Sequence, residues 1–357
     1  MEAYNVVTEV LTIHPNTPEP QIIAQAAGII RAGGLVAFPT ETVYGLGANA
    51  FDAAAIERIY RAKQRPSYDP VIVHITHVAT LQTLALDLPD IAYALAEAFW
   101  PGALTLVLQR APNVPSNVAT GLLTVAVRMP AHPVARALID AAGVPIAAPS
   151  ANRFTRPSAT QAAHVLEDLN GHVDLVLDGG QTRIGIESTV LDLTQAVPTV
   201  LRPGGIVMDE LRQVIPQVQI MNRLIADPTT PTQSPGMAIK HYSPRAELIL
   251  FDGERDTVLN AMNALAVKLT HDQKRVGILT TDEDAGAFTH SGARILSLGQ
   301  EDNLDHVAHV LFGAMRALDN QNVDKILVRA YAKDGLGAAI WDRLLRAAEG
   351  KVRRMMA

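Results

Sequence analysis

The chain predicts an α/β protein of two domains joined by a linker. Over residues 20–208, short β-rich apolar runs alternate with Ala-rich helical runs, the pattern of a mixed α/β domain. Residues 209–245 lose that period and end in a stretch rich in Pro, Thr and Ser. From 246 onward β and α runs alternate strictly, as a small parallel sheet requires. At 357 residues with 48% hydrophobic content, the chain can bury two sizeable cores.

In chain order, LVAFP (35–39), PVIVHI (70–75), LTLVL (104–108), TVAVRMP (124–130), VPIAAP (144–149), LVLDGG (175–180), STVLDL (188–193) and TVLRPGG (199–205) read as strands. Most end in Pro or Gly, and sites are usually built where strands break. Helices are expected over 20–32, 53–62, 88–99, 132–142 and 159–169, the last with Ser158 and Gln161 as a capping box. In the second domain AELILFDG, RVGILTTD, ARILSLG and KILVRAYA read as strands, with helices near 255–269, 303–319 and 337–349. No repeat of 20–50 residues marks a solenoid.

Composition narrows the chemistry. Thirty Lys and Arg against 36 Asp and Glu leave a formal charge of −6, which argues against a basic nucleic-acid-binding domain. Cysteine is absent, so disulfides, thiolate metal sites and a Cys nucleophile are excluded. The N-terminus carries Glu2 and Glu9 where a secretory signal is basic, and no uninterrupted apolar span is long enough for a membrane, so a cytoplasmic location is expected.

Five kinds of candidate remain. PTETVYGLG (39–47) packs Thr40, Glu41, Thr42, Tyr44 and two glycines behind a strand; its plain reading is a strand-loop-strand connection with Gly at strained turns. KQRPSYDP (63–70) sets Lys63 and Arg65 at a helix end; two cations in a constrained loop suit phosphate, while the plainer reading is a solvated end favoured by the helix dipole. His74 alternates with Val71, Val73 and Ile75, and a lone strand histidine is more often structural than catalytic. Arg128 in an apolar strand is costly unless it meets an anion or pairs with a protein carboxylate. APSAN (148–152), RPSAT (156–160), ESTVLDL (187–193) and LRPGG (201–205) repeat hydroxyl groups at strand ends with Arg nearby, which describes a pocket for a polar, anionic ligand. No Walker, dinucleotide, zincin or nucleophile-elbow motif occurs.

Taken in order, PTETVYGLG, the KxRP loop with PVIVHI, WPGALTLVL, VAVRMP, SAN, STV and LRPGG resemble the L-threonylcarbamoyladenylate synthase family, in its long form. The resemblance extends through SPGMAIKHYSP (234–244) to GLGAAIWDRLLRAA. It implies an open, twisted YrdC-like catalytic domain over 14–208, a linker or lid over 209–245 and a small Rossmann-like parallel domain over 246–357. The implied reaction is that of a nucleotidyltransferase. It joins L-threonine, bicarbonate and ATP, with Mg²⁺, into threonylcarbamoyl-AMP and pyrophosphate. The product would pass to a threonylcarbamoyl transferase that modifies tRNA beside the anticodon, so tRNA would be met only indirectly.

Carried over residue by residue, the family's threonine site falls on Thr42, His74, Arg128, the Ala148 backbone and Ser188. Its ATP contacts fall on Arg65, Asp69, Thr124, Ser150, Ser158 and Arg202, with Tyr242 of the linker as a lid contact. Lys63 and Arg65 are the expected catalytic cations, neutralising phosphate charge. The sequence departs from the family at Asp69-Pro70-Val71, where Asn-Pro-Leu is expected; an acid there repels a triphosphate unless Mg²⁺ bridges them or Asp69 turns away. The rival readings are a non-catalytic RNA-binding or ribosome-associated protein of the same fold, and a family member acting on another substrate. Low aromatic content (4%) and the acidic balance weigh against the first. The related hydrogenase-maturation carbamoyltransferase carries Cys-rich zinc motifs that this chain lacks.

Overall fold

The computed structural model describes residues 6–221 and 240–355. Of the expected linker motif, Ser234 to Ile239, with Pro235 and Gly236, lie outside the described residues. The described residues divide into two compact units: Thr155–Pro157 group with the residues from 240 onward, and the remainder form the first unit.

In chain order the first unit runs β1 (Glu9–Thr12), α1 (Pro20–Arg31), β2 (Val36–Pro39), β3 (Tyr44–Asn49), α2 (Ala53–Lys63), β4 (Ile72–His74), α3 (Leu81–Leu84), β5 (Ala85–Leu86) and α4 (Asp90–Phe99). It continues through β6 (Leu104–Arg110), β7 (Thr124–Arg128), α5 (Pro133–Ala142), β8 (Ile146–Ala147), α6 (Ala162–Leu169), β9 (Leu175–Asp178), β10 (Thr189–Asp192), β11 (Thr199–Arg202), α7 (Met208–Val214) and β12 (Gln219–Ile220). All twelve strands join one mixed sheet in the order β1-β9-β2-β3-β8-β4-β7-β6-β10-β11-β12, with β5 on β6.

Local chemistry sets the helix ends. Pro20 and Pro133 open α1 and α5, where the missing N–H is no loss. Asp52 caps α2 by accepting from the Ala54 and Ala55 amides. Gln64 then turns left-handed, at φ 52°, and ends that helix directly before Arg65. Along β2, Ala37 joins one hydrophobic core while Val36 and Phe38 join another, so the strand's alternation divides the two faces of the sheet. α1 buries Ile23, Ala26, Ala27 and Ile30 at helical spacing, in the same core as Leu138 and Ile139 of α5.

The second unit contains β13 (Glu247–Gly253), α8 (Arg255–His271), β14 (Val276–Thr280), β15 (Arg294–Ser297), α9 (Leu304–Asn320), β16 (Lys325–Arg329), α10 (Gly335–Ala347) and β17 (Val352–Met355). Its five strands are all parallel, in the order β15-β14-β16-β13-β17. This is the small parallel sheet expected from the alternation, and it fits the Rossmann-like domain that the resemblance implies. No helix among the described residues is long and apolar enough to cross a membrane.

Three expectations change. Residues 209–221, read as the start of the linker, form α7 and β12; β12 pairs in parallel with β11, so the first sheet runs past the expected boundary at 208. Ser158 does not cap α6: the helix begins at Ala162 after Gln161, which makes no side-chain cap bond, and Ser158 turns inward instead. The glycines of PTETVYGLG do not sit at strained turns. Gly45 and Gly47 lie within β3, and a Cβ on Gly47 would meet Phe38 at 2.7 Å and Ile146 at 2.8 Å, so close packing against neighbouring strands requires glycine there.

Candidate active site

Parallel pairing of β4 with β7 sets His74 beside Arg128, and antiparallel pairing of β6 with β7 sets Thr105 opposite Arg128. The β2–β3 hairpin delivers its tip to the same place. That tip is a closed turn: the Thr40 hydroxyl donates to the Val43 carbonyl at 2.6 Å and accepts from the Thr42 and Val43 amides. Ile184 N–H and Gly185 N–H donate to the Glu41 and Thr42 carbonyls, pinning the tip from outside.

Of the two fates open to it from sequence, Arg128 shows pairing with a protein carboxylate. Its Nη2 donates to Glu41 Oε1 at 2.5 Å in a buried ion pair, its Nη1 donates to Thr42 Oγ1 at 2.9 Å, and Nε donates to the Gly102 carbonyl. The guanidinium fork thus holds three acceptors at once. Next to it, burial and then the Arg128 charge push the His74 pKa down to about 3, so the ring is neutral. His74 Nδ1–H donates to the Ile72 carbonyl, which leaves Nε2 as the acceptor nitrogen.

On the neighbouring strands Ser188 Oγ shares a hydrogen bond of 2.8 Å with Thr105. Arg202 Nη2 donates to the Ser188 carbonyl at 2.9 Å and to its hydroxyl at 3.3 Å. This approach depends on Gly204: a Cβ there would lie 2.4 Å from Glu187 O and from the Ser188 and Thr189 backbone. Glu187 in turn accepts from the Ser158 hydroxyl at 2.5 Å, which is where the expected cap residue goes.

Lys63 and Arg65 are not a solvated helix end, because both are buried. Lys63 Nζ donates to the Ser150 and Asn152 carbonyls at 2.5 Å each, so the ammonium clasps the segment that follows β8. Arg65 pairs with Asp69 at 2.9 Å and also donates to the Asp69 and Pro70 carbonyls. Asp69 therefore faces a protein cation. Burial raises its pKa, while Arg65, Lys63 and Arg202 pull the other way. Ala148 is buried with its N–H on Ile72 O, and Ser150 bridges to Gly45, which ties this segment to the hairpin strand.

One expected residue lies away from this cluster. Thr124 begins β7 at the end opposite Arg128, four residues and so roughly 13 Å along the strand. Tyr242 belongs to the second unit, where its buried ring packs 5.3 Å from Phe312 and edge-on to His241, with the Arg343 guanidinium over its face.

The site thus gathers four buried cations, Lys63, Arg65, Arg128 and Arg202, with three buried carboxylates, Glu41, Asp69 and Glu187. Such a preorganised set can take a carboxylate and a phosphate side by side. Glu41, Thr105 and Glu187 received no role from sequence. The signal available was an acid directly beside a hydroxyl residue in PTET and EST, which becomes informative only when both are known to be buried.

Residues 28–204 match the family model described as "Telomere recombination", and residues 206–349 match one described as "Threonylcarbamoyl-AMP synthase, C-terminal domain". A threonylcarbamoyl-AMP synthase of Pyrococcus abyssi is 45% identical over 322 residues, covering 90% of this chain and 92% of that protein. Its counterpart in Bacillus subtilis is 44% identical over 340 residues, covering 95% and 96%. The crystal structure of Pyrococcus abyssi Sua5 complexed with L-threonine superposes with a TM-score of 0.91 at 42% identity, covering 97% of this chain and 99% of that one.

Proposed function

The chain belongs to the threonylcarbamoyl-AMP synthase family in its two-domain form and is an enzyme of the nucleotidyltransferase type, and we propose that it joins L-threonine, bicarbonate and ATP into threonylcarbamoyl-AMP with release of pyrophosphate. The observation that carries this reading is the contact between Arg202 and Ser188. It makes one wall of two adjoining subsites, because Ser188 stands with the hydroxyl and Arg128 group while Arg202 stands with Arg65, Lys63 and Asp69.

In this reading Arg128 receives the threonine carboxylate. Thr42, neutral His74, the Ala148 backbone and Ser188 read the rest of the amino acid. Arg65, Arg202, Ser150 and Ser158 face the phosphates, with Thr124 as a further nucleotide contact. Lys63 acts on the nucleotide by shaping the Ser150–Asn152 segment. The nucleophile is the substrate's own carbamate, whose oxygen attacks the α-phosphorus as pyrophosphate leaves, so positioning and charge neutralisation supply the catalysis. Because a carbamate and a mixed anhydride are both lost to water, burial of these groups serves the chemistry, and the product calls for prompt transfer to an acceptor enzyme of tRNA modification.

Mg²⁺ enters with ATP. Among the described residues no group of three or more His, Asp or Glu is arranged to hold a metal, and Asp69 is engaged by Arg65. No step here is assigned to a protein-held metal. The reading is tested by pyrophosphate release with each component omitted in turn. Release should need threonine, bicarbonate, ATP and Mg²⁺ together; equal release from ATP alone would mark a simple nucleotidase.

A further inference from the structure

Glu41 holds one carboxylate oxygen on Arg128 and buries the other, Oε2, with no hydrogen-bond partner among the described residues. Leaving a buried carboxylate oxygen unmet is costly, and native structures rarely do so without a reason. The group cannot relieve the cost by moving its backbone, because the hairpin tip is tied to Ile184 and Gly185 and closed on Thr40. The charged and titratable groups that face it are Arg128 from β7 and His132 from the start of α5, with neutral His74 behind Arg128. Of these only Arg128 makes a hydrogen bond to the carboxylate.

A free amino acid carries an ammonium and a carboxylate on neighbouring atoms. A guanidinium and a carboxylate held side by side are its electrostatic complement. We propose that Glu41 Oε2 accepts a hydrogen bond from the α-ammonium of L-threonine while Arg128 binds the carboxylate, and that Glu41 takes the proton the ammonium must lose. This rests on the threonine reading above.

The step balances. An N–H bond breaks, its electron pair stays on nitrogen and its proton goes to Glu41. That pair then forms the N–C bond to bicarbonate, a C–O bond breaks, and the departing oxygen leaves as water with the second nitrogen proton; carbamate retains the single negative charge. In water an ammonium does not yield its proton to a carboxylate. In a buried site the transfer turns an ion pair into a neutral pair, which burial favours. His74 is poorly suited to hold that proton, since it is the neighbour whose charged form Arg128 and burial most disfavour.

The test compares L-threonine with 3-hydroxybutyrate, which keeps the carboxylate and hydroxyl but lacks the amine. Wild type should bind threonine at least about tenfold more tightly, the scale of one charge-assisted hydrogen bond. Glu41→Gln should bring the two affinities together and lower kcat for pyrophosphate release by about 100-fold, the range of a lost general base. Its rate should then climb with pH roughly tenfold per unit as solution deprotonates the amine, while the wild-type profile stays flatter. If Glu41→Gln weakens both ligands equally and its pH profile parallels wild type, Glu41 serves only to place Arg128 and the proposal is wrong. Should the variant not fold, equal affinity of wild type for the two ligands overturns it independently. A wild type that binds neither ligand overturns the threonine reading itself, a different result.

Discussion

Arg65 and Asp69, four residues apart, form a buried ion pair of 2.9 Å in which the guanidinium also closes on the Asp69 and Pro70 carbonyls. The loop therefore holds its phosphate-type cation in place with its own backbone and covers it with its own acid. The carbonyl bonds fix geometry, and the carboxylate is the partner an incoming phosphate has to displace.

Asp69→Asn should bind ATP several-fold more tightly, measured by calorimetry, because Arg65 keeps its carbonyl anchors and loses its competing anion. Burial raises the Asp69 pKa against the pull of Arg65, Lys63 and Arg202. Folding thus favours the protonated acid, and wild type loses stability as pH rises through the folded value. The gain in Tm of Asp69→Asn over wild type should be larger near neutral pH than in acid, where wild-type Asp69 is protonated too.

His74 predicts an acid-side slope of the opposite kind. Its pKa is pushed down to about 3, so the unfolded chain takes up a proton first as pH falls. Stability drains from about pH 6.5 downward, by at most about 1.4 kcal/mol per pH unit, until the folded ring also titrates. His74→Gln should flatten that part of the curve in urea titrations run across pH.

Arg128→Met alone should lower Tm, because it strands Glu41 as a buried charge, a loss of about 3–5 kcal/mol. The double variant Arg128→Met with Glu41→Gln should recover most of the stability and none of the threonine affinity. Recovery of both would show that the pair is structural only. Thermal melting and threonine titration on the same samples give the two readouts.

Lys63→Met should free the Ser150 and Asn152 carbonyls, each left buried at about 1–3 kcal/mol. Hydrogen exchange of the 148–154 peptide should quicken and ATP affinity fall, while threonine binding holds. Lys63→Arg should not rescue, since a planar fork does not replace a point charge between two carbonyls.

Within the site, what was readable in advance were residue types that apolar strands do not tolerate. Arg128 inside TVAVRMP and the hydroxyl residues at strand ends marked a polar pocket, because burying such groups unpaired is expensive. Lys63 and Arg65 were legible as cations but not as buried ones, since a helix end that is solvated and one folded under a neighbouring loop have the same local sequence. β3 escaped notice because Gly45 and Gly47 weaken its strand signal, and the clash that demands them comes from Phe38 and Ile146 on other strands.

The sequence by itself determined the alternation of strands and helices, the two α/β units and the ordered motifs that mark the family, because these rest on local periodicity and on residue types. Only the tertiary structure decided who pairs with whom. That Arg128 shares itself between Glu41 and Thr42, that Ser158 serves Glu187 rather than a helix end, and that β12 extends the first sheet past residue 208 all depend on strand register between segments far apart in the chain. Register is set when whole faces are buried together, and a charge or hydroxyl then takes whichever partner that packing brings within reach.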